Sequence, residues 1–476
     1  MSTPYDVVGH KPSASDARYY DEAVDPAGQP RAPYAELAQR LGWDPRQPPQ
    51  RVTRAFAGGP LGDSTQILPM PLVLGGAEHR DQIQAGVAQR ARALQRFFAD
   101  VVLEDGRFLG AQTGLTQSLL DGILASEGTS LEELRRWWKG QRPDAIRFVY
   151  GPDLAREPGG RWVVLEDNVG CVSGCADSFL ALDAYETACG LRTQAPTRPD
   201  LLVAVERWLE RLQMRPADPR VVALLTDAHG ARWSGGVRFQ EDVRRQQLVR
   251  QLGVRVVDNA DLERIADASG CGLTELRAIF NIGVPSTETW PMLLDAFFGR
   301  SRVPLFNAPG TSVLGNKALL PFVGQMVECY CAEKVILDAP PTTVLRDGLL
   351  PDNPDGWVVK AAAGCNGTGV FDLRSQTPQQ LGAIEEMLES SWPEQAAVAQ
   401  RRVELSRLSL GDGSAFLVEL RAVGYVLGWE EVFSGSQCLA RLTSQDESRG
   451  RDRALRVAPV LIAIAPDTHN PASSRP

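Results

Sequence analysis

Between Asp218 and Asn307 the chain alternates short apolar runs with helical ones, and this alternation constrains its fold more than any other feature. The runs R-V-V-A-L-L-T-D, V-R-V-V-D, L-R-A-I-F-N-I and V-P-L-F-N are interleaved with helical stretches at Phe239–Leu252 and in W-P-M-L-L-D-A-F-F. Strands that recur with a helix between them pair by crossing over, which predicts a parallel α/β unit.

The flanking regions read differently. From Ala77 to Val101 apolar residues recur three and four apart, as in an amphipathic helix. The runs I-R-F-V-Y-G-P-D-L-A-R and R-W-V-V-L-E-D-N are β-rich and joined by E-P-G-G, a hairpin signal. A helix is expected over Asn316–Cys331, then the strand W-V-V-K with a glycine-rich turn, a helix near Pro378–Ser390 and β-rich runs from Ala397 to Leu442. The Pro-, Gly- and Arg-rich start, with short helical pieces such as Tyr34–Leu41, reads as a segment wrapped on a larger body. The end, A-P-D-T-H-N-P-A-S-S-R-P, reads as a disordered tail. There is no internal repeat.

A chain of 476 residues has room for two or three domains. Its net charge of −9 and pI near 5.2 argue against nucleic acid or an anionic membrane as partner. The N-terminus lacks a charged start followed by an apolar run, and the eight cysteines are scattered, so a reducing, cytoplasmic setting is expected. No segment approaches the roughly 18 apolar residues of a membrane span. The pairs Cys171/Cys175 and Cys329/Cys331 lack a second C-x-x-C or H-x-x-x-H to complete a zinc site.

Three places carry chemistry. The hairpin brings Asp153 next to Glu166, with Asn168 two residues on; two readings fit, acids capping a solvated hairpin end or hard oxygen ligands for Mg²⁺. In W-V-V-K-A-A-A-G-C-N-G-T-G-V, Lys360 ends a strand and Gly364, Gly367 and Gly369 follow. This matches neither a Walker loop nor G-x-G-x-x-G; it is a bland hairpin turn or a mobile loop whose N–H groups close over phosphates. Last come cations distant in sequence, Arg156, Lys317, Lys360, Arg421 and Arg441, each individually an ordinary surface charge.

Taken in order, Y-D-E (Tyr20–Glu22), G-V-A-Q-R-A-R-A-L (Gly86–Leu94), G-P-D-L-A-R with V-L-E-D-N and S-G (Gly151–Gly174), G-N-K-A-L-L-P (Gly315–Pro321), V-V-K-A-A-A-G-C-N-G-T-G (Val358–Gly369) and V-A-Q-R-R-V (Val398–Val403) resemble the circularly permuted ATP-grasp family. The match runs from about Tyr20 to Leu442. It implies an α/β chain with α+β elements: a circularly permuted ATP-grasp fold with a Rossmann-like pre-ATP-grasp α/β domain. The implied division is an N-terminal wrapping and helical segment (1–110), a metal-binding half of the core (111–210), the α/β domain (211–310), a lysine and glycine-loop half (311–460) and the tail (461–476).

The resemblance assigns roles residue by residue. Asp153, Glu166 and Asn168 would be Mg²⁺ ligands, and Lys317 and Lys360 would hold the α- and β-phosphates of ATP. Gly364, Gly367 and Gly369 would form a lid, the segment around Gln400 would meet the adenine edge, and Arg156, Arg421 and Arg441 would neutralise the transferred phosphoryl group. The implied reaction joins a carboxylate to an amine, on small molecules or peptides, through an acyl phosphate. A phosphotransferase without amine acceptor and an inactive nucleotide-binding protein are the alternatives. The family's usual E-D-N-x-R-x-P-S-G here reads E-D-N-V-G-C-V-S-G, with Gly170 and Val172 replacing Arg and Pro, which suggests a different acceptor; Cys171 and Cys175 read as packing residues. A homodimer is the default expectation for assembly.

Overall fold

The computed structural model describes residues 19–463 except 58–67, 111, 171, 192–197, 225–236, 271, 284, 346–348, 364–368, 375, 392–396, 412–413 and 445–455. No described helix is long and apolar enough to cross a membrane.

The organising element is a long antiparallel hairpin of Ala415–Gly428 with Glu431–Ser444. In A-F-L-V-E-L-R-A the side chains alternate between faces, so Phe416, Val418, Leu420 and Ala422 enter the core while Glu419 and Arg421 share the other face. The sheet runs in the order Arg456–Ala458, Glu431–Ser444, Ala415–Gly428, Asp153–Arg156, Trp162–Glu166. Phe148–Tyr150 and Arg407–Ser409 also pair with Ala415–Gly428. The first run of the expected hairpin is therefore two strands. It breaks at Gly151–Pro152, where proline has no N–H for the ladder and a Cβ on Gly151 would lie 2.4 Å from Val172. E-P-G-G forms the expected turn: the Glu157 N–H donates to the Arg161 carbonyl (2.9 Å).

The helix Ala85–Leu103 packs against this hairpin and is buried along nearly its whole length. Even its polar residues are enclosed, and they are satisfied: Gln95 donates to the carbonyls of Ile146 (2.7 Å) and Gly428 (2.9 Å), and Asp100 accepts from the Tyr330 hydroxyl (2.6 Å).

A second, antiparallel sheet has the order Val370–Asp372, Trp357–Ala361, Ala397–Arg401, Thr342–Leu345. Val359, Ala397 and Ala399 pack with Ile384 and Leu388 of the helix Pro378–Ser391. Because Val359 faces that core, Lys360 points the other way. The alternation over Asp218–Asn307 folds as expected into an all-parallel sheet, Arg255–Val257, Val221–Leu224, Ala278–Asn281, Leu305–Phe306.

Two expectations are corrected. Asn316–Cys331 is not one α-helix but a 3₁₀ turn (Lys317–Phe322), an α turn (Val323–Met326) and a π turn (Val327–Cys331), since Pro321 lacks the N–H that an α ladder needs. The expected tail does not begin at 461, because Val460–Ala463, apolar and β-rich, pairs in parallel with Leu72–Gly75; residues 464–476 lie outside the described residues. The N-terminal segment wraps as expected: the Glu22 N–H donates to the Arg407 carbonyl (2.8 Å), and the Arg407 N–H to that of Tyr20 (2.9 Å).

Candidate active site

Asp153 and Glu166 stand opposite each other on adjacent strands. The register then slips, with Leu154 facing Val164, so Leu165 is a bulge residue whose carbonyl turns out of the ladder. Asn168 donates its Nδ2 to the Gly151 carbonyl (2.9 Å), which orients the amide and keeps its oxygen out of that bond. Arg421, the register partner of Asp153 on the next strand, grips it with Nε (2.7 Å) and Nη2 (2.9 Å) and donates to Ser173 Oγ (3.0 Å). Arg441 reaches Asp153 Oδ2 (2.7 Å) and Glu419 Oε2 (2.8 Å) through one nitrogen, Nη2. Burial alone would raise the Asp153 pKa, but the two guanidiniums outweigh it and hold the carboxyl well below the usual range.

The lysines arrive from the second half of the chain. Asn316 caps the 3₁₀ turn by accepting from the Ala318 N–H (3.1 Å), and Lys317, next in sequence, extends Nζ to within 3.1 Å of Glu166 Oε1. The Lys317 N–H donates to the Ala362 carbonyl (3.1 Å), so the base of the glycine-rich loop stands beside the acidic strand end. Lys360 Nζ donates to the Leu165 carbonyl (3.0 Å) and to Gln400 Oε1 (2.7 Å). Burial lowers the Lys360 pKa, against the opposing pull of Glu166 and Glu419. Residues some two hundred positions apart thus form one basin of alternating charge.

A family model described as circularly permuted ATP-grasp type 2 matches residues 71–271 and 264–436. The chain belongs to that family. Among similar proteins, "Putative glutamate--cysteine ligase 2-2" of Frankia casuarinae is 29% identical over 408 residues, 78% of this chain and 45% of its own length. An uncharacterized protein of Synechocystis sp. is 25% identical and covers 83% of this chain and 86% of its own length. The chain spans about half the length of the ligase-named relative. A solved apo structure of a glutathione synthetase-like effector from Globodera pallida aligns with a TM-score of 0.54 at 12% identity, covering 91% of this chain and 98% of the other; that likeness is one of fold.

Within this ATP-grasp chain the site residues expected from sequence mostly converge: Asp153, Glu166, Asn168, Lys317, Lys360, Gln400, Arg421 and Arg441 share one basin. Arg156 does not join them. Strand alternation turns it to the opposite face from Asp153, where it pairs with Glu22 (3.1 Å) and Glu78 and lies against the rings of Tyr20 and Trp162. It clasps the N-terminal segment. The Gln400 side chain is also committed, to Lys360 and the Leu165 carbonyl, so it orients a lysine. Gly364 and Gly367 lie outside the described residues; Gly369 has φ +73°, and a Cβ there would meet Ala361 at 2.7 Å.

Three residues escaped the sequence reading. Asp167, between two candidate ligands, points the other way and is held by the fully buried Arg90 (2.7 Å) and the Tyr150 hydroxyl (2.5 Å). Glu419 lies two residues before Arg421 on an alternating strand, a spacing from which it was legible. Ser173, in the S-G pair that ends the stretch E-D-N-V-G-C-V-S-G, accepts from Arg421.

The ATP-grasp fold implies a divalent cation, and the donor set fits one. Two carboxylates from adjacent strands and an oriented amide oxygen are hard ligands of the kind Mg²⁺ takes alongside substrate phosphates. Among the described residues no three His, Cys, Asp or Glu side chains form a metal group, so a third protein donor beside Asp153 and Glu166 would have to be of another type, such as the Asn168 amide oxygen.

Proposed function

We propose that this chain is an ATP-dependent, ADP-forming carboxylate–amine ligase acting on an amino acid or peptide. The observation that supports the reading is the contact of Lys317 with Glu166 (3.1 Å), which brings together the lysine proposed to bind phosphate and the acid proposed to bind metal. In this reading Lys317 and Lys360 bind phosphate oxygens, Arg421 holds Asp153 in place, and Asp153, Glu166 and Asn168 would hold the cation. That cation, when bound, neutralises phosphate charge.

The substrate carboxylate attacks the γ-phosphorus, and the bond from that phosphorus to the β–γ bridging oxygen breaks, releasing ADP and leaving an acyl phosphate. The amine nitrogen then attacks the acyl carbon, phosphate leaves with the C–O electron pair, and the nitrogen loses a proton. The basin's fixed charges face phosphoryl oxygens as charge develops on them. The ligase name of a relative at 29% identity supports an amino-acid carboxylate and an amino-acid amine.

The test is a mass-spectrometric screen of amino acids and peptides with ATP, scored for ADP and for condensation products. ADP and a condensation product that both require an added amine are expected. ADP formed equally without amine would make the chain a phosphotransferase and overturn the ligase reading.

A further inference from the structure

The acid Asp153 has more cationic partners than the strand register assigns it. Arg421 faces it directly across one strand gap and makes the two-pronged bond. Arg441 belongs two strands away, where its own register partner is Glu419. To touch Asp153 it must cross the intervening strand, a span of roughly 10 Å at two strand spacings. It does so with Nη2 alone. The guanidinium thus serves two carboxylates through one nitrogen and leaves its buried Nε without a hydrogen-bond partner among the described residues. The Glu419 contact at 2.8 Å would keep it neutralised if Asp153 were taken by something else.

We propose that Arg441 stands in for the divalent cation on Asp153 and is exchanged for it, so that the basin disfavours metal until nucleotide phosphates offer Arg441 another partner. The inference rests on the reading of Asp153 as a metal ligand. It adds that one arginine of the same basin competes with the metal. Metal and nucleotide then bind cooperatively through the protein, beyond their association in solution, because each releases a group that the other needs.

Mn²⁺ binding to the full chain, followed by electron paramagnetic resonance with and without a non-hydrolysable ATP analogue, tests this. Without nucleotide, Arg441→Gln should bind Mn²⁺ about tenfold more tightly than wild type, since a competing positive charge is gone. With saturating nucleotide the difference should shrink. Arg441→Lys keeps a charge but lacks the reach to Asp153, and it should also tighten Mn²⁺ binding; it decides the matter if the glutamine variant fails to fold. Unchanged or weaker Mn²⁺ affinity in the folded variants overturns the stand-in. Asp153→Asn separates the two ideas: if it binds Mn²⁺ as wild type does, the metal reading falls and the stand-in with it. If it loses the metal while Arg441→Gln gains nothing, only the stand-in falls.

Discussion

At the scale of single residues, the two lysines make the sharpest forecast. Lys317→Ala and Lys360→Ala should each weaken ATP binding by about 1–3 kcal/mol, the range for a lost hydrogen bond to a charged partner. Lys139, exposed and outside the basin, is the control; calorimetry should find its alanine variant unchanged. Glu166→Gln should fold normally, because the side chain is only partly buried at a strand end, yet turnover measured as ADP release should be lost. His79 makes a different kind of forecast. Burial beside Cys438 lowers its pKa from 6.5 to about 4, so the folded protein keeps it neutral. Its contribution to stability is therefore complete above pH 6.5 and disappears as pH falls toward 4, on the order of 3 kcal/mol in all. Urea midpoints for wild type and His79→Gln should converge across that window; parallel curves would show that His79 does not titrate with unfolding. The candidate ligands and lysines were legible because motif spacing and strand alternation fix which groups share a face. Arg156 misled because its motif neighbours Asp153 in sequence while the pleat sends the two side chains to opposite faces.

At the scale of elements, the helix Ala85–Leu103 ties down the end of the strand Trp162–Glu166 through one buried ion pair, Arg90 with Asp167. Arg90 and Asp167 have almost no solvent access, and Asp167 lies between Glu166 and Asn168. Arg90→Met would leave a buried carboxylate unpaired, and a loss of about 3–5 kcal/mol in chemical denaturation is expected. Replacing both partners with apolar residues should recover much of that. The alternating strands and helices of the parallel sheet were plain in the sequence because their period changes are local. Interruptions were harder to see. The break at Gly151–Pro152 depends on Val172 pressing against Gly151, and the 3₁₀ and π turns after Asn316 depend on Pro321 and on packing from distant segments. Such contacts leave no periodic trace in the chain.

At the scale of the whole molecule, the basin joins segments from both sides of the parallel sheet in sequence, so ligand binding should be felt by the entire fold. Nucleotide with Mg²⁺ at a hundred times its dissociation constant should add about 2.7 kcal/mol of stability, read as a raised melting temperature that Glu166→Gln largely forfeits. The pairing of Leu72–Gly75 with Val460–Ala463 has a consequence for synthesis. A ribosome releases the first of these strands long before the second exists, so through most of translation Leu72–Gly75 lacks the neighbour that will complete its ladder. Joining them closes a loop containing nearly all of the chain, and the entropy of that closure is recovered only when the contacts within it have formed. The tie is thus expected to form late in a nascent chain, and the emerging polypeptide carries an open β-edge at Leu72–Gly75 until Val460–Ala463 has left the exit tunnel.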